Sequence, residues 1–222
     1  MDNPIMIDLF SRCPAQSLRL TARVLALCAV MSSTAVRADD PGHHDHHAHH
    51  LMPPPSAAVV RSEQKVVLPP VGQRSSEGVN KSFAEFVGEG RPVVVNFIYT
   101  TCTAICPPMT RVFAEVQERL GAERESVRLI SVSIDPEQDT PRRLKAYGAQ
   151  YGAVAPWVFL TGSEAASTSI QQAFNVFRPD KMGHTPVTFI RRQPGESWIR
   201  LDGIASAERI LAEVHGVAGG RR

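Results

Sequence analysis

The stretch PVVVNFIYTTCTAICPPMTRVFAEVQERLG, residues 92–121, runs from an almost continuous apolar segment into one of helical period, with two cysteines at the join. Its first part, residues 92–100, is β-branched and apolar on both alternations, as a strand covered on both faces must be. Its second part sets Met109, Val112, Val116 and Leu120 on one helical face, with Pro107 and Pro108 tolerated in the first turn and Gly121 as a stop. Cys102 and Cys106 thus stand between a buried strand and the N-terminus of an amphipathic helix. Unpaired backbone N–H groups and the helix dipole there favour a thiolate, and can draw a cysteine pKa from about 8.5 to between about 3.5 and 7.5.

Outward from this unit the sequence keeps alternating. SVRLISVSID (126–135) reads as a second buried strand, and DTPRRLKAYGAQYG (139–152) as a helix with Thr140 as N-cap and Pro141 next. WVFLTG (157–162) is a third strand and SEAASTSIQQAFNVF (163–177) another helix. TPVTFIRR and SWIRLDG, joined by QPGE, form an antiparallel hairpin, and SAERILAEVHG (206–216) is a closing helix. The order β-α-β-α-β-α-β-β-α predicts an α/β domain with a central mixed sheet flanked by helices, the thioredoxin-like arrangement.

A chain of 222 residues with 43% apolar content can bury one sizeable core. A net charge of +2 with scattered Lys and Arg excludes a dedicated nucleic-acid binder. Residues 18–40, LRLTARVLALCAVMSSTAVRADD, have the order of a secretory signal, charged then apolar then small. Cleavage is expected after Ala38, so residues 1–38 read as a signal peptide; the alternative is an uncleaved anchor in the inner membrane. Either way the domain is expected to be exported or periplasmic, with membrane contact only if the leader stays. Residues 39–64 read as a flexible linker, 65–216 as the folded domain and 217–222 as a tail. Within the linker, His43, His44, His46, His47, His49 and His50 surround Asp45, a tract able to chelate borderline metals or to serve as a solvated spacer.

Of four cysteines, Cys13 and Cys28 fall in the leader, so Cys102 and Cys106 are the thiols of the exported chain. A disulfide between them would close almost no loop, which argues for chemistry rather than architecture. They are either a redox couple or metal ligands. Cys-x-x-x-Cys is one residue longer than the common oxidoreductase spacing, and positions i and i+4 share a helical face. Two thiolates suit Cu(I), and an imidazole added to them would also accept Cu(II). The histidines of the folded domain are His184 and His215. His215 is expected on the surface of the last helix; His184, just before a strand that should lie beside the cysteine loop, is the candidate ligand.

T-x-C-x-x-x-C-P at 100–107, V-S-x-D-P-x-x-D-T at 132–140 and a histidine just before a strand together resemble the SCO/SenC family, over about residues 66–215. The resemblance implies a thioredoxin-like copper protein, exported or membrane-tethered, that acts in assembling the copper centre of cytochrome c oxidase. It makes Cys102, Cys106 and His184 copper ligands and an oxidase subunit the recipient, with other copper chaperones or thiol reductases as further partners. It also ties Asp135 to site or partner interactions and places Asp139 in the same loop. Two departures stand out. Residues 69–86 lack the D-Q-x-G segment often found ahead of the first core strand. Pro186 stands where thioredoxins carry a cis-proline facing the dithiol, which favours disulfide exchange if Thr185–Pro186 is cis. Three readings remain: a metallochaperone with a Cys2His site, a thiol-disulfide oxidoreductase using Cys102 and Cys106 on an apo-copper protein, and a scaffold whose His tract buffers metal. Plainer roles are expected elsewhere. Met182, two residues before His184, could approach a soft metal but is expected to pack against the domain; Asp135 and Asp139 should cap a helix or form a turn, and Trp157 and Trp198 fill the core or an edge.

Overall fold

The computed structural model describes residues 58–88 and 90–217. These fall in the second of two units of the chain, His49–Arg222; the expected signal peptide and the His-rich tract lie outside the described residues. In chain order the elements are β1 (Val60–Gln64), β2 (Gly72–Ser75), β3 (Asn80–Ser82), α1 (Phe83–Val87), β4 (Val93–Ile98), α2 (Cys106–Leu120), β5 (Arg128–Ser133), α3 (Pro141–Gln150), β6 (Val158–Gly162), α4 (Glu164–Ala173), β7 (Val187–Arg191), β8 (Trp198–Asp202) and α5 (Ala207–Val214).

The strands make one sheet in the order β1-β8-β7-β4-β5-β6-β2-β3. Helices α2 and α3 are the crossovers that let β4, β5 and β6 run parallel, whereas β7 returns antiparallel to β4. Every residue of β4 is buried, and its alternation splits the core in two. Val94 and Ile98 join Phe113, Val116, Leu144 and Ile210 on the face covered by α2, α3 and α5. Val93, Val95 and Phe97 face the other way, onto Phe83, Ile170 and Phe174. There the Phe174 ring meets Phe189 at 4.9 Å and Trp198 at 5.0 Å, edge to face.

Helix starts follow the local chemistry. Thr140, Ser163 and Ser206 accept backbone N–H groups at the heads of α3, α4 and α5. Ser82 and Glu85 form a capping box on α1. Two elements are not apparent in the sequence. β1 lies in residues read as linker, so the sheet begins at Val60 rather than near Lys65; its VRSEQ is mostly exposed and is a strand because it pairs with β8. The β2–β3 hairpin, GQRS and NKS, has no apolar alternation and is held as an antiparallel edge on β6. Its turn is closed by the Val79 N–H on the Ser75 hydroxyl at 3.1 Å, with Gly78 at φ +83°.

Register decides where the site forms. Ile98 pairs with Ser133 and Asn96 with Thr188, so the ends of β4 and β5 and the start of β7 lie on one edge of the sheet. Three loops meet there: 99–105 with the cysteines, 134–140 with the two aspartates, and 178–186 with His184. Ligand sites of α/β sheets favour this edge, outside the carboxyl ends of parallel strands.

Candidate functional site

Helix α2 starts without a side-chain cap, with Ile105 at its N-cap. Pro107 and Pro108 have no N–H to offer, so the first turn has few donors to satisfy. The amide of Cys106 finds its acceptor in the Cys102 sulfur, N to Sγ 3.3 Å. The loop is in turn pinned by the Cys102 N–H on the Tyr99 carbonyl, 3.1 Å. The spacing and the two prolines thus direct a helix N-terminus at one thiol.

The two thiols are electrostatically unlike. Both are free and buried, Cys102 at 7% exposure and Cys106 at 0%. Burial pushes the Cys102 thiol up, but the backbone N–H groups of Cys106, Ala104 and Ile105, with the Cys106 side chain, outweigh it and leave the pKa below that of an ordinary thiol. For Cys106 burial outweighs a hydrogen bond from the Tyr99 backbone, and with the nearby Cys102 it drives the thiol far above the ordinary range. Cys102 is therefore the more acidic of the two thiols. Iodoacetamide should modify Cys102 first, with a midpoint pH below that of a free cysteine because the folded pKa is depressed, while Cys106 reacts once the chain is unfolded; peptide mapping after graded alkylation checks both.

His184 is buried at the foot of β7, and its Nε2 meets the Phe97 carbonyl at 2.9 Å. A carbonyl only accepts, so Nε2 carries the proton and Nδ1 keeps the lone pair. Burial lowers the His184 pKa against the pull of that bond, and the Arg178 charge adds to the lowering, so the ring is neutral at pH 7. Tyr99 links the halves. Its ring lies edge-on to His184, centroids 6.4 Å apart, and its carbonyl holds the Cys102 amide. Burial, with the neighbouring Cys102, pushes the Tyr99 pKa up to about 12.

The aspartates do not cap the helix; Thr140 does. Asp139, fully buried, accepts from the Thr100 amide at 3.1 Å, the Thr100 hydroxyl at 2.5 Å and the Ser133 hydroxyl at 2.7 Å. It ties the cysteine loop to the end of β5. Asp135 instead pairs with Lys181 of the histidine loop at 2.6 Å. Sequence reading missed Tyr99, Thr100 and Ser133 as site residues; only their positions, at the ends of buried strands, marked them. Trp157 is in the core, its indole N–H on Ser131 at 3.0 Å, and Trp198 is buried too. His215 is exposed, as expected. Met182, expected to pack, is 74% exposed. The cis peptide among the described residues is Ala155–Pro156, so Thr185–Pro186 is trans and the condition that favoured disulfide exchange, a cis-proline edge facing the dithiol, is not met.

The structure thus brings the two cysteines together and sets His184 beside Tyr99, which touches both. Among the described residues no three His, Cys, Asp or Glu side chains form a metal-holding group.

A family model described as SCO1/SenC matches residues 77–219. The chain belongs to the SCO1/SenC family. The SCO1 protein homolog of Bacillus subtilis is 42% identical over 96 residues, 43% of this chain and 49% of that one. The chain thus spans about half the length of this curated relative. Among solved structures, BsSco, described as having a disulfide switch and as a member of the Sco family of cytochrome c oxidase assembly proteins, superposes with TM-score 0.59 at 28% identity, over 71% of this chain and 96% of its own. ScoI of Bradyrhizobium japonicum, solved with copper bound, superposes with TM-score 0.57 at 22% identity, over 68% of this chain and 99% of its own. This SCO1/SenC chain therefore has the thioredoxin-like fold expected from its element order.

Proposed function

We propose that this protein binds copper as cargo through Cys102, Cys106 and His184 and delivers it during assembly of the copper centre of cytochrome c oxidase or a related exported cuproprotein. The observation that carries the reading is the imidazole. A buried, neutral ring whose Nε2–H is spent on a backbone carbonyl keeps its Nδ1 lone pair, the form in which a ligating histidine is normally held. The donor set suits the ion: two thiolates and an imidazole favour Cu(I) and accept Cu(II). Binding takes the proton from the Cys106 thiol, so uptake releases acid and strengthens as pH rises. Joining the thiols in a disulfide removes two donors, which couples occupancy to redox state. Family membership supports the assembly role, as does the description of BsSco. The recipient in this reading is an oxidase subunit, and the leader read in residues 1–38 supports a domain working outside the cytoplasm.

A second reading, thiol-disulfide exchange on an apo-copper protein, is favoured by the asymmetry of the thiols. Cys102 has the low pKa of an attacking group and Cys106 the position of a resolving one.

One titration separates these. Reduced protein titrated with Cu(I) and Cu(II), with His184→Ala alongside, should show affinity falling more than the roughly 10–100-fold that loss of an outer-shell partner costs, and the Cu(II)–thiolate absorbance should disappear. Disulfide exchange with a small substrate should persist in the variant. An unchanged affinity would remove His184 from the site and overturn the Cys2His reading. Deleting residues 41–50 should remove the weak exchangeable sites and leave one tight equivalent; loss of all copper would make the domain a scaffold.

A further inference from the structure

We propose that Met182 is the entry ligand of the site: an exposed thioether that takes incoming Cu(I) first and passes it to Cys102. The inference rests on the copper reading above. Cys106, Cys102 and His184 are 0%, 7% and 8% exposed, and Cys102 lines a surface pocket beside Thr103 and Pro107, so an incoming ion meets only a small face of these donors. Met182, two residues before His184, is 74% exposed. Exposure alone would mean nothing, since single exposed apolar residues are ordinary. Its surroundings carry the argument. The Tyr99 hydroxyl donates to the Met182 sulfur at 3.6 Å, and Tyr99 is the residue whose carbonyl holds the Cys102 amide and whose ring faces His184. The outer sulfur is therefore anchored to the residue that holds the cysteine loop and lies against His184.

The loop is built to present it. Asp180 accepts the Met182 N–H at 2.9 Å, and the His184 N–H closes on the Lys181 carbonyl at 3.1 Å. Lys181, whose charge would oppose a cation, is drawn onto Asp135 at 2.6 Å. A thioether is a soft, neutral donor that selects Cu(I) and binds it without losing a proton. In the handover the ion stays monovalent. The ligand that delivered it departs as Met182 binds, and the Cys102 thiolate, favoured by the helix N-terminus, then displaces the thioether. The Cys106 thiol coordinates last and its proton leaves to solvent.

The test is stopped-flow loading of the reduced full chain from the Cu(I)–bathocuproine disulfonate complex, comparing the natural sequence with Met182→Leu. Loading should slow by about tenfold, the loss of a first contact that makes the second binding event intramolecular. Extraction of copper by excess chelator should slow by the same factor, because a way-station speeds passage in both directions. Tyr99→Phe, which frees the thioether, should slow loading in the same sense. The unfolding midpoint of Met182→Leu should not move, since the side chain is exposed. Equal loading rates would overturn the proposal, as would faster extraction, the mark of a resident ligand. If the natural sequence takes up no Cu(I), the copper reading falls and the entry ligand with it; if it loads and Met182→Leu loads equally fast, only the entry ligand falls.

Discussion

Replacing Cys106 with serine should abolish tight Cu(I) binding while leaving a folded chain. The sulfur is fully enclosed against the α2 face of the core, and its polar surroundings belong to the backbone: the Cys106 N–H serves Cys102, and the Cys106 carbonyl accepts from Thr110 at 2.8 Å. A serine keeps both backbone bonds and places a hydroxyl where a thiol was, at a cost of about 1–3 kcal/mol if that hydroxyl finds no partner. A hydroxyl is a hard, weakly acidic donor, so one of two soft ligands is lost outright, and affinity should fall by at least about a thousandfold, beyond the range of an outer-shell loss. Competition against a Cu(I) chelator measures the affinity, and a thermal melt shows that the fold survives. Cys102→Ser should match it in affinity and cost less stability, because a serine oxygen can accept the Cys106 N–H. Retention of tight Cu(I) binding by either variant would exclude the dithiol as the site.

The two cysteines were legible in the sequence because covalent geometry does much of the work. An apolar run too continuous for a one-sided strand, two prolines and a stop glycine fix a strand, a turn and a helix start within residues 92–121, and any thiol in that turn meets the helix N-terminus. Residue register across strands was not legible. Asp139 reads from sequence as a turn or cap residue, since Asp-x-x-x-Asp-Thr-Pro is full of local signals, and Thr140 takes the cap. That Asp139 reaches back to Thr100 depends on β4 and β5 pairing Ile98 with Ser133, a long-range fact. His184 was placed correctly before a strand, but its tautomer depends on the Phe97 carbonyl 87 residues away. Met182 went wrong for the opposite reason: hydrophobicity predicted burial, whereas the turn from Asp180 to Gly183 turns it outward. Edges were the hardest part of the fold, because β1, β2 and β3 are polar and take their conformation from the strands they join.

Asp139→Ala should be the most destabilising single change at the site and should disarm Cys102 without touching it. The carboxylate is fully buried and accepts from two groups of Thr100 and one of Ser133. Removing it strands three donors in the interior. At about 1–3 kcal/mol for each unsatisfied group, partly relieved by rotation of the two hydroxyls, the loss should be about 3–5 kcal/mol, a shift readily seen in a urea unfolding curve. Thr100 stands two residues before Cys102, so the loop that aims the amides of 104–106 at that sulfur loses its anchor to β5. Those amides keep the Cys102 pKa below the ordinary value against burial. With them dispersed, the burial penalty dominates, and the midpoint of the alkylation profile should move to higher pH. Asp139→Asn keeps one carbonyl acceptor and the side-chain shape, and should show a smaller loss of stability with a partial shift of the profile. The two readouts separate positioning from mere stability: a variant destabilised elsewhere, in the Phe174 cluster for instance, should lower the urea midpoint and leave the Cys102 profile where it was. Should Asp139→Ala keep the natural alkylation midpoint, the acidity of Cys102 owes nothing to this buried carboxylate and the loop is held by its own turn alone.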